Sequence, residues 1–279
     1  MTSHDAVAKA RRATGERSTG HLGTLDPMAT GVLPLLLGKY TRLAQFFGSA
    51  EKSYTGTIRF GFSTDTYDAE GETTSPVRAV NLSLEEVRRA AAGFSGATEQ
   101  TPPVFSAKKV GGVASYKLAR AGKAVPLKAI RIFIHEFRIE SHHADLAEFF
   151  IRVSAGGYVR AVAHDLGQLL GCGAHLASLR RTAAGPFTLE QALTLDQVAE
   201  LAREGVLDER LPHPRSLLPE MPAVTADLMT IGLVRNGAAV NLPEFSTAPL
   251  VKIFESQRNL VAIGKRIAGT LFQPTVVLG

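Results

Sequence analysis

Short apolar runs separated by polar punctuation make up this chain, and the spacing inside each run predicts its element. Residues 5–12 read as a short helix. The apolar run 31–37, "GVLPLLL", reads as a strand, and "TRLAQFF" (41–47) as a helix leading away from it. "YTGTIRFG" (54–61) alternates, with Tyr54, Gly56, Ile58 and Phe60 on one face and Thr55, Thr57 and Arg59 on the other. "STDTYDAEGETTSP" (63–76) is polar and carries Gly and Pro, so a loop is expected. "SLEEVRRAAAGF" (83–94) opens with a capping box from Ser83 to Glu86, after which Leu84, Val87, Ala91 and Phe94 fall at helical spacing.

Further along, "TPPVFSAKKVGG" (101–112) looks extended with a Gly-Gly break, and "ASYKLARAG" (114–122) is a short helix stopped by Gly122. Two β-rich runs, 129–140 and 145–154, flank the polar turn "SHHA". In "GGYVRAVAHDLGQLLG" (156–171), Val159, Val162, Ala163, Leu166, Leu169 and Leu170 form an apolar helical stripe. Arg160, His164 and Gly167 lie on another face, so Arg160 sits in the first helical turn, facing away from the main core. "AHLASLRRTAAG" (174–185) reads as a strand, and "TLEQALTLDQVAELARE" (188–204) carries capping signals at Thr188 and Thr194. Pro-rich "RLPHPRSLLPEMPA" (210–223) marks a boundary. Beyond it come short strand-like runs without a strong helix, which predict a small β-rich module. Strands and helices mix without a βαβ rhythm, so the expected class is α+β with a largely antiparallel sheet. The expected domains are residues 1–212 and 213–279.

Composition narrows the setting. Lys and Arg total 31 against 26 acids, a formal charge of +5, with a pI near 9.4. That excess suits a polyanionic partner. "KARRATGER", "SAKKVGG" and "SLRR" place basic residues beside Gly, Ser or Thr, a composition suited to phosphate contacts. No apolar run approaches the roughly 18 residues of a membrane span, and the N-terminus lacks the apolar core of a secretory signal. With a single cysteine, Cys172, a cytoplasmic setting is expected.

Familiar catalytic patterns are sparse. His142, His143 and Asp145 cluster in a turn without helical metal-ligand spacing, so no metal is expected. There is no phosphate-binding GxxxxGK[ST], no strand-bound GxGxxG and no GxSxG elbow, so no nucleotide cofactor is expected. Cys172 in "GCGAH" reads as structural. Asp26 remains, a lone acid between Leu25 and Pro27 with Gly20, Gly23 and Gly31 around it. Asp before Pro is a common turn or helix-cap choice. The other reading is a carboxylate nucleophile held by a loop that runs into a strand. Such a group needs a cationic neighbour to remain ionised in apolar surroundings, and Arg160 is the best-placed candidate. Local sequence leaves both readings open.

The stretch "GHLGTLDPMATGVLPLLLG" (20–38) resembles the catalytic-loop motif of the tRNA pseudouridine-55 synthases, the TruB family. "KSYTGTIRFG", "TDTYDAEG", "PPVFSAKKVGGVASYKLARAG" and "GGYVRAVAHDLGQLLGCGAHLASLRR" are similar to later segments of that family, in the same order. Leu22 stands where Thr is common and Phe105 where Tyr is common. The family normally begins with a strand and a Lys-Pro-x-Gly loop before "TSHDAV", so that strand and its lysine are expected to be missing.

The resemblance implies a pseudouridine-synthase catalytic domain whose mixed sheet is flanked by helices, with a PUA-like RNA-binding module at 213–279. It implies isomerisation of uridine 55 in the T stem-loop of tRNA by base flipping, without a cofactor and by a monomer. Asp26 would be the nucleophile, Tyr54 would stack on the target uracil, and Arg160 would pair with Asp26. His21 would pack against the RNA loop, and Gly23 would allow close approach of backbone to RNA. Lys109, Tyr158 and Leu179 would line the pocket, and Asp68 would contact RNA. Two other functions fit the same features: a non-catalytic tRNA-binding or folding protein, and an RNA-guided pseudouridine synthase.

Overall fold

The computed structural model describes the chain apart from Ala107, Ala124 and the side chain of Lys109. In chain order its elements are α1 (Ser3–Thr14), β1 (Thr19–His21), β2 (Thr30–Gly31), β3 (Leu35–Leu37), α2 (Ala44–Phe47), β4 (Lys52–Phe60), α3 (Leu84–Ala92) and β5 (Gly96–Gln100). There follow β6 (Lys109–Val110), β7 (Val113–Ala114), α4 (Ser115–Arg120), β8 (Ile130–His143), β9 (Leu146–Val153), α5 (Val159–Leu169), β10 (Ala174–Ala184) and β11 (Phe187–Thr188). The last are α6 (Leu195–Glu204), α7 (Leu207–Arg210), β12 (Ala223–Thr225), α8 (Leu228–Arg235), β13 (Val240–Asn241), β14 (Leu250–Phe254), β15 (Leu260–Ala268) and β16 (Leu271–Val277). The class is α+β. These elements form two compact units, one of residues 1–5, 22–34 and 48–192, the other of residues 6–21, 35–47 and 193–279.

The first unit is built on a sheet of order β11-β10-β4-β9-β8-β5, antiparallel throughout, with β2 added parallel to β10. Its central strands alternate as the sequence predicts. On β4, Tyr54, Ile58 and Phe60 are buried, facing Phe149 and Ile151 of β9 and Leu176 and Leu179 of β10 in one apolar cluster. On β8 the phase slips: Ile132 and Ile134 point inward, then Phe137 and Ile139, because a bulge between Ile134 and Glu136 resets the register. α3 and α5 contribute Val87, Ala91, Val159, Val162, Ala163 and Leu166 to the same core. The Ser83–Glu86 capping box closes as expected, a device of the kind that contributes about 1 kcal/mol.

The second unit carries a sheet of order β12-β14-β15-β16-β13. α8 packs on it through Ile231 and Val234, beside Val251, Ile253, Val261 and Phe272. Lys252 is buried in this module and donates to the carbonyls of Arg215 and Leu217 at 2.7 and 2.6 Å. Among the described residues no helix is long and apolar enough to cross a membrane.

Three local expectations change. The run 31–37 is not one strand: β2 and β3 join different sheets, with Pro34 between them lacking the N–H a ladder needs. "SHHA" is not the turn: His142 and His143 extend β8 opposite Ala147 and Leu146, and the chain reverses at Ala144 and Asp145, Ala144 having φ 54°. The C-terminal module does contain a helix, α8, capped where the Asp227 carboxylate accepts from the Thr230 N–H at 2.7 Å. Its apolar residues spread around the helix, Leu228, Met229 and Leu233 being exposed and Ile231 and Val234 buried, so no one-sided stripe announces it.

Candidate active site

The loop from Gly23 to Val32 is fastened from β10. Arg181 is 1% exposed, and its Nε donates to Val32 O at 2.7 Å, its Nη2 to Gly23 O at 3.1 Å and its Nη1 to Thr24 O at 3.4 Å. The Val32 N–H donates back to Arg181 O at 2.9 Å. Gly31, at φ 101°, lies so close to this strand that a Cβ there would meet Arg181 O at 2.1 Å. Only glycine satisfies both demands. Gly23 at φ 115° likewise turns the chain through the left-handed region. The reading of "SLRR" as phosphate-contacting is therefore corrected for Arg181. Strand alternation exposes Arg180 and turns Arg181 inward, where backbone carbonyls compensate its charge.

Asp26 stands in this loop and meets α5. Arg160 Nε donates to Asp26 Oδ2 at 3.0 Å and Nη2 donates to Oδ1 at 2.8 Å, the parallel pair that a planar guanidinium matches to a carboxylate. The Arg160 side chain is 5% exposed and that of Asp26 30%, so the acid keeps an open side while its partner lies beneath. The helical spacing correctly takes Arg160 off the apolar stripe of α5, but the residue is buried there among polar partners. Nη1 donates to Thr66 O at 2.9 Å, Nη2 also to Phe105 O at 3.0 Å, and Nη1 lies 3.3 Å from Asp68 Oδ2.

Asp68 is the deepest member of the group. Its side chain is 4% exposed, and Oδ1 accepts from Thr66 Oγ1 at 2.6 Å and from the Glu70 N–H at 3.1 Å. Asp68, expected to contact RNA, is placed against Arg160. The loop bearing it passes through Tyr67 at φ 64°, a conformation that costs a non-glycine residue about 1 kcal/mol or more. The Tyr67 ring stacks on His164 of α5 at 3.9 Å between centroids.

Tyr54 and Leu179 are brought together on neighbouring strands, both buried in the first unit's core. Burial pushes the Tyr54 hydroxyl above its usual range, the nearby Arg181 guanidinium opposes this with its charge and a hydrogen bond, and the Asp26 carboxylate adds to the rise. Tyr54 thus stays protonated through neutral pH, within electrostatic reach of Asp26. Tyr158 precedes α5 half-buried, and its backbone is clasped by Gln100: the Tyr158 N–H donates to Oε1 at 2.8 Å and Nε2 donates to Tyr158 O at 3.0 Å. Gln100, Arg181 and Thr66 are contributors that spacing did not single out. The signal for Arg181 was present in the alternation of β10, two residues from inward-facing Leu179. His21 lies in the second unit, paired with Leu35 across β1 and β3. The Lys109 side chain falls outside the described residues.

Residues 11–159 match the TruB family pseudouridylate synthase N-terminal domain, and residues 160–221 match the tRNA pseudouridylate synthase B C-terminal domain. The chain belongs to the TruB family of pseudouridylate synthases. The tRNA pseudouridine synthase B of Solibacter usitatus is 45% identical over 280 residues, spanning 99% of this chain and 96% of that relative. The protein of the same name from Opitutus terrae is 48% identical over 200 residues, covering 72% of this chain and 83% of its own. Among solved structures, a Cbf5-Nop10-Gar1 complex contains a chain that superposes with a TM-score of 0.72 at 24% identity, over 100% of this chain and 82% of that one. That likeness is one of fold. TruB-family membership makes the chain an isomerase.

Proposed function

We propose that this TruB-family enzyme converts uridine to pseudouridine at position 55, in the T loop of tRNA, with Asp26 as nucleophile. The observation that carries the proposal is the two-pronged Arg160–Asp26 pair: one face of the carboxylate is held by a buried cation and the other is open. The substrate class is supported by the relatives named tRNA pseudouridine synthase B.

The reaction breaks the bond between uracil N1 and ribose C1′, turns the base and joins C5 to C1′. The C5 proton is released and N1 gains one, so no redox partner is needed. Covalent assistance by a carboxylate requires its charged form, and Asp26 has the Arg160 guanidinium on both of its oxygens. Extruding a base from a folded loop costs a few kcal/mol, and stacking on Tyr54 would return about 1–3 kcal/mol. Tyr158, Leu179 and Lys109 are assigned to lining the uracil pocket, Gly23 to close approach of backbone to RNA, His21 to contact with the RNA loop, and Asp68 to holding Arg160. Residues 213–279 are assigned as a PUA-like module that grips the acceptor-arm end. We place the enzyme in the cytoplasm, acting as a monomer.

Tritium release from tRNA transcript carrying C5-labelled uridine tests this directly. One equivalent per tRNA is expected, retained in a T-arm minihelix and lost when uridine 55 is replaced by cytidine. Binding without release would favour a non-catalytic RNA-binding protein. A need for an added guide RNA would favour the RNA-guided reading.

A further inference from the structure

The backbone around Asp26 is held from a third direction that neither Arg160 nor Arg181 supplies. Ser3, the first residue of α1, is buried. Its hydroxyl accepts from the Leu25 N–H at 2.8 Å and is within 3.2 Å of Leu25 O, to which it donates. The helix start has no need of this hydroxyl. Thr2 Oγ1 accepts from the Asp5 N–H at 3.2 Å, and the Asp5 carboxylate accepts from the Thr2 N–H at 2.8 Å, which completes a reciprocal cap without Ser3.

We infer that Ser3 is a positioning residue for the reaction, orienting the Leu25–Asp26 peptide so that the nucleophile's backbone is set before RNA binds. This rests on the reading of Asp26 as nucleophile. By donating to the Leu25 carbonyl and accepting from the Leu25 N–H, Ser3 fixes the peptide planes on both sides of Leu25. The second of those planes contains the Asp26 nitrogen, so its tilt decides where the Asp26 side chain begins. Arg181 holds Gly23, Thr24 and Val32, and the Ala29 N–H donates to Asp26 O at 2.9 Å within the loop itself. Leu25 is where a hold from outside the loop reaches the nucleophile's own peptide. Arg160 does not replace it, because its contacts are to the Asp26 carboxylate and not to the Leu25–Asp26 peptide. Reactive groups must be held to within about 0.5 Å of their productive position.

The test compares wild type, Ser3→Ala and Ser3→Cys, the last filling similar space with a weaker hydrogen-bonding group. Three quantities are read: the single-turnover rate on saturating T-arm minihelix, the minihelix Kd, and amide hydrogen exchange at Leu25. For Ser3→Ala the rate is expected to fall about ten- to a hundredfold, with Kd within about twofold of wild type and faster Leu25 exchange. Ser3→Cys is expected to fall between the two, and it carries the test if the alanine variant is too unstable to assay. A folded Ser3→Ala or Ser3→Cys enzyme with the wild-type single-turnover rate overturns the inference, as does a rate loss explained by weaker RNA binding. A wild-type enzyme that forms no pseudouridine in any RNA overturns the Asp26 reading and this inference with it. An active wild type beside a full-rate Ser3→Ala variant overturns this inference alone.

Discussion

Arg160 holds Asp26 by both carboxylate oxygens, at 3.0 and 2.8 Å, and extends its remaining donors to Thr66 O, Phe105 O and Asp68. One guanidinium thereby joins the loop 23–32, the loop 64–68 and the segment through Phe105 to the first turn of α5. The Asp26 carboxylate is paired with the same group that ties three irregular segments together. Function and local stability are therefore expected to fall together when this group is changed.

Arg160→Lys keeps a positive charge but replaces a planar fork with a single point and three donors, against the acceptors now served. We expect pseudouridine formation to fall by about two to three orders of magnitude. Thermal unfolding is expected to begin several degrees lower, in line with losing about 2 kcal/mol from a buried pair. Near-normal turnover in the tritium assay would remove Arg160 from the chemistry.

Asp26→Asn preserves the shape of the side chain and one of its two acceptors. The variant is expected to fold and to bind tRNA with near wild-type Kd, while its rate falls by about four orders of magnitude or more. Residual turnover close to wild type would return Asp26 to a turn-forming role.

Tyr54→Phe removes a hydroxyl that feels the charges of both Arg181 and Asp26 and leaves the ring. RNA affinity is expected to be unchanged, because stacking needs only the ring face. Single-turnover rates separate the remaining possibilities: a moderate decrease fits a supporting hydroxyl, and a complete loss would assign it a proton-transfer step.

Gly31→Ala should destabilise the first unit by about 3 kcal/mol or more, since the new Cβ must displace β10 backbone while the residue keeps a positive φ. A lowered Tm in a thermal melt checks this, and an unchanged Tm would mean that β2 can leave β10 freely.

Burial holds both His164 and His175 below the ordinary histidine value of 6.5. Below that value the unfolded chain binds more protons than the folded one, so stability is full above it and is lost as pH falls toward the lowered values. Tm is expected to decline as pH falls below about 6.5. His175→Asn, which can still donate to the Phe62 carbonyl that Nδ1 reaches at 3.2 Å, should flatten that decline. A parallel decline in wild type and variant would assign the effect elsewhere.

The regular elements were legible because their signals are local. Alternation predicted β4, the Ser83–Glu86 box predicted the start of α3, and helical spacing placed Arg160 in the first turn of α5. Where a local signal was absent or misleading, the reading failed. The apolar run 31–37 carries no mark that its two ends belong to different sheets. α8 carries its apolar residues around its circumference, so its period is masked.

The candidate site divides the same way. Residue types and motif order in the chain determined that Asp26 is the acid to watch, that Arg160 lies off an apolar stripe, and which family the chain resembles. Only the tertiary structure decided that these residues meet, separated by 134 positions, that Asp68 lies against Arg160, and that Arg181 and Ser3 spend their polar groups on the loop backbone. The reason is physical: a periodic pattern reports which face a side chain occupies, whereas a hydrogen bond between distant segments depends on how those faces are brought together.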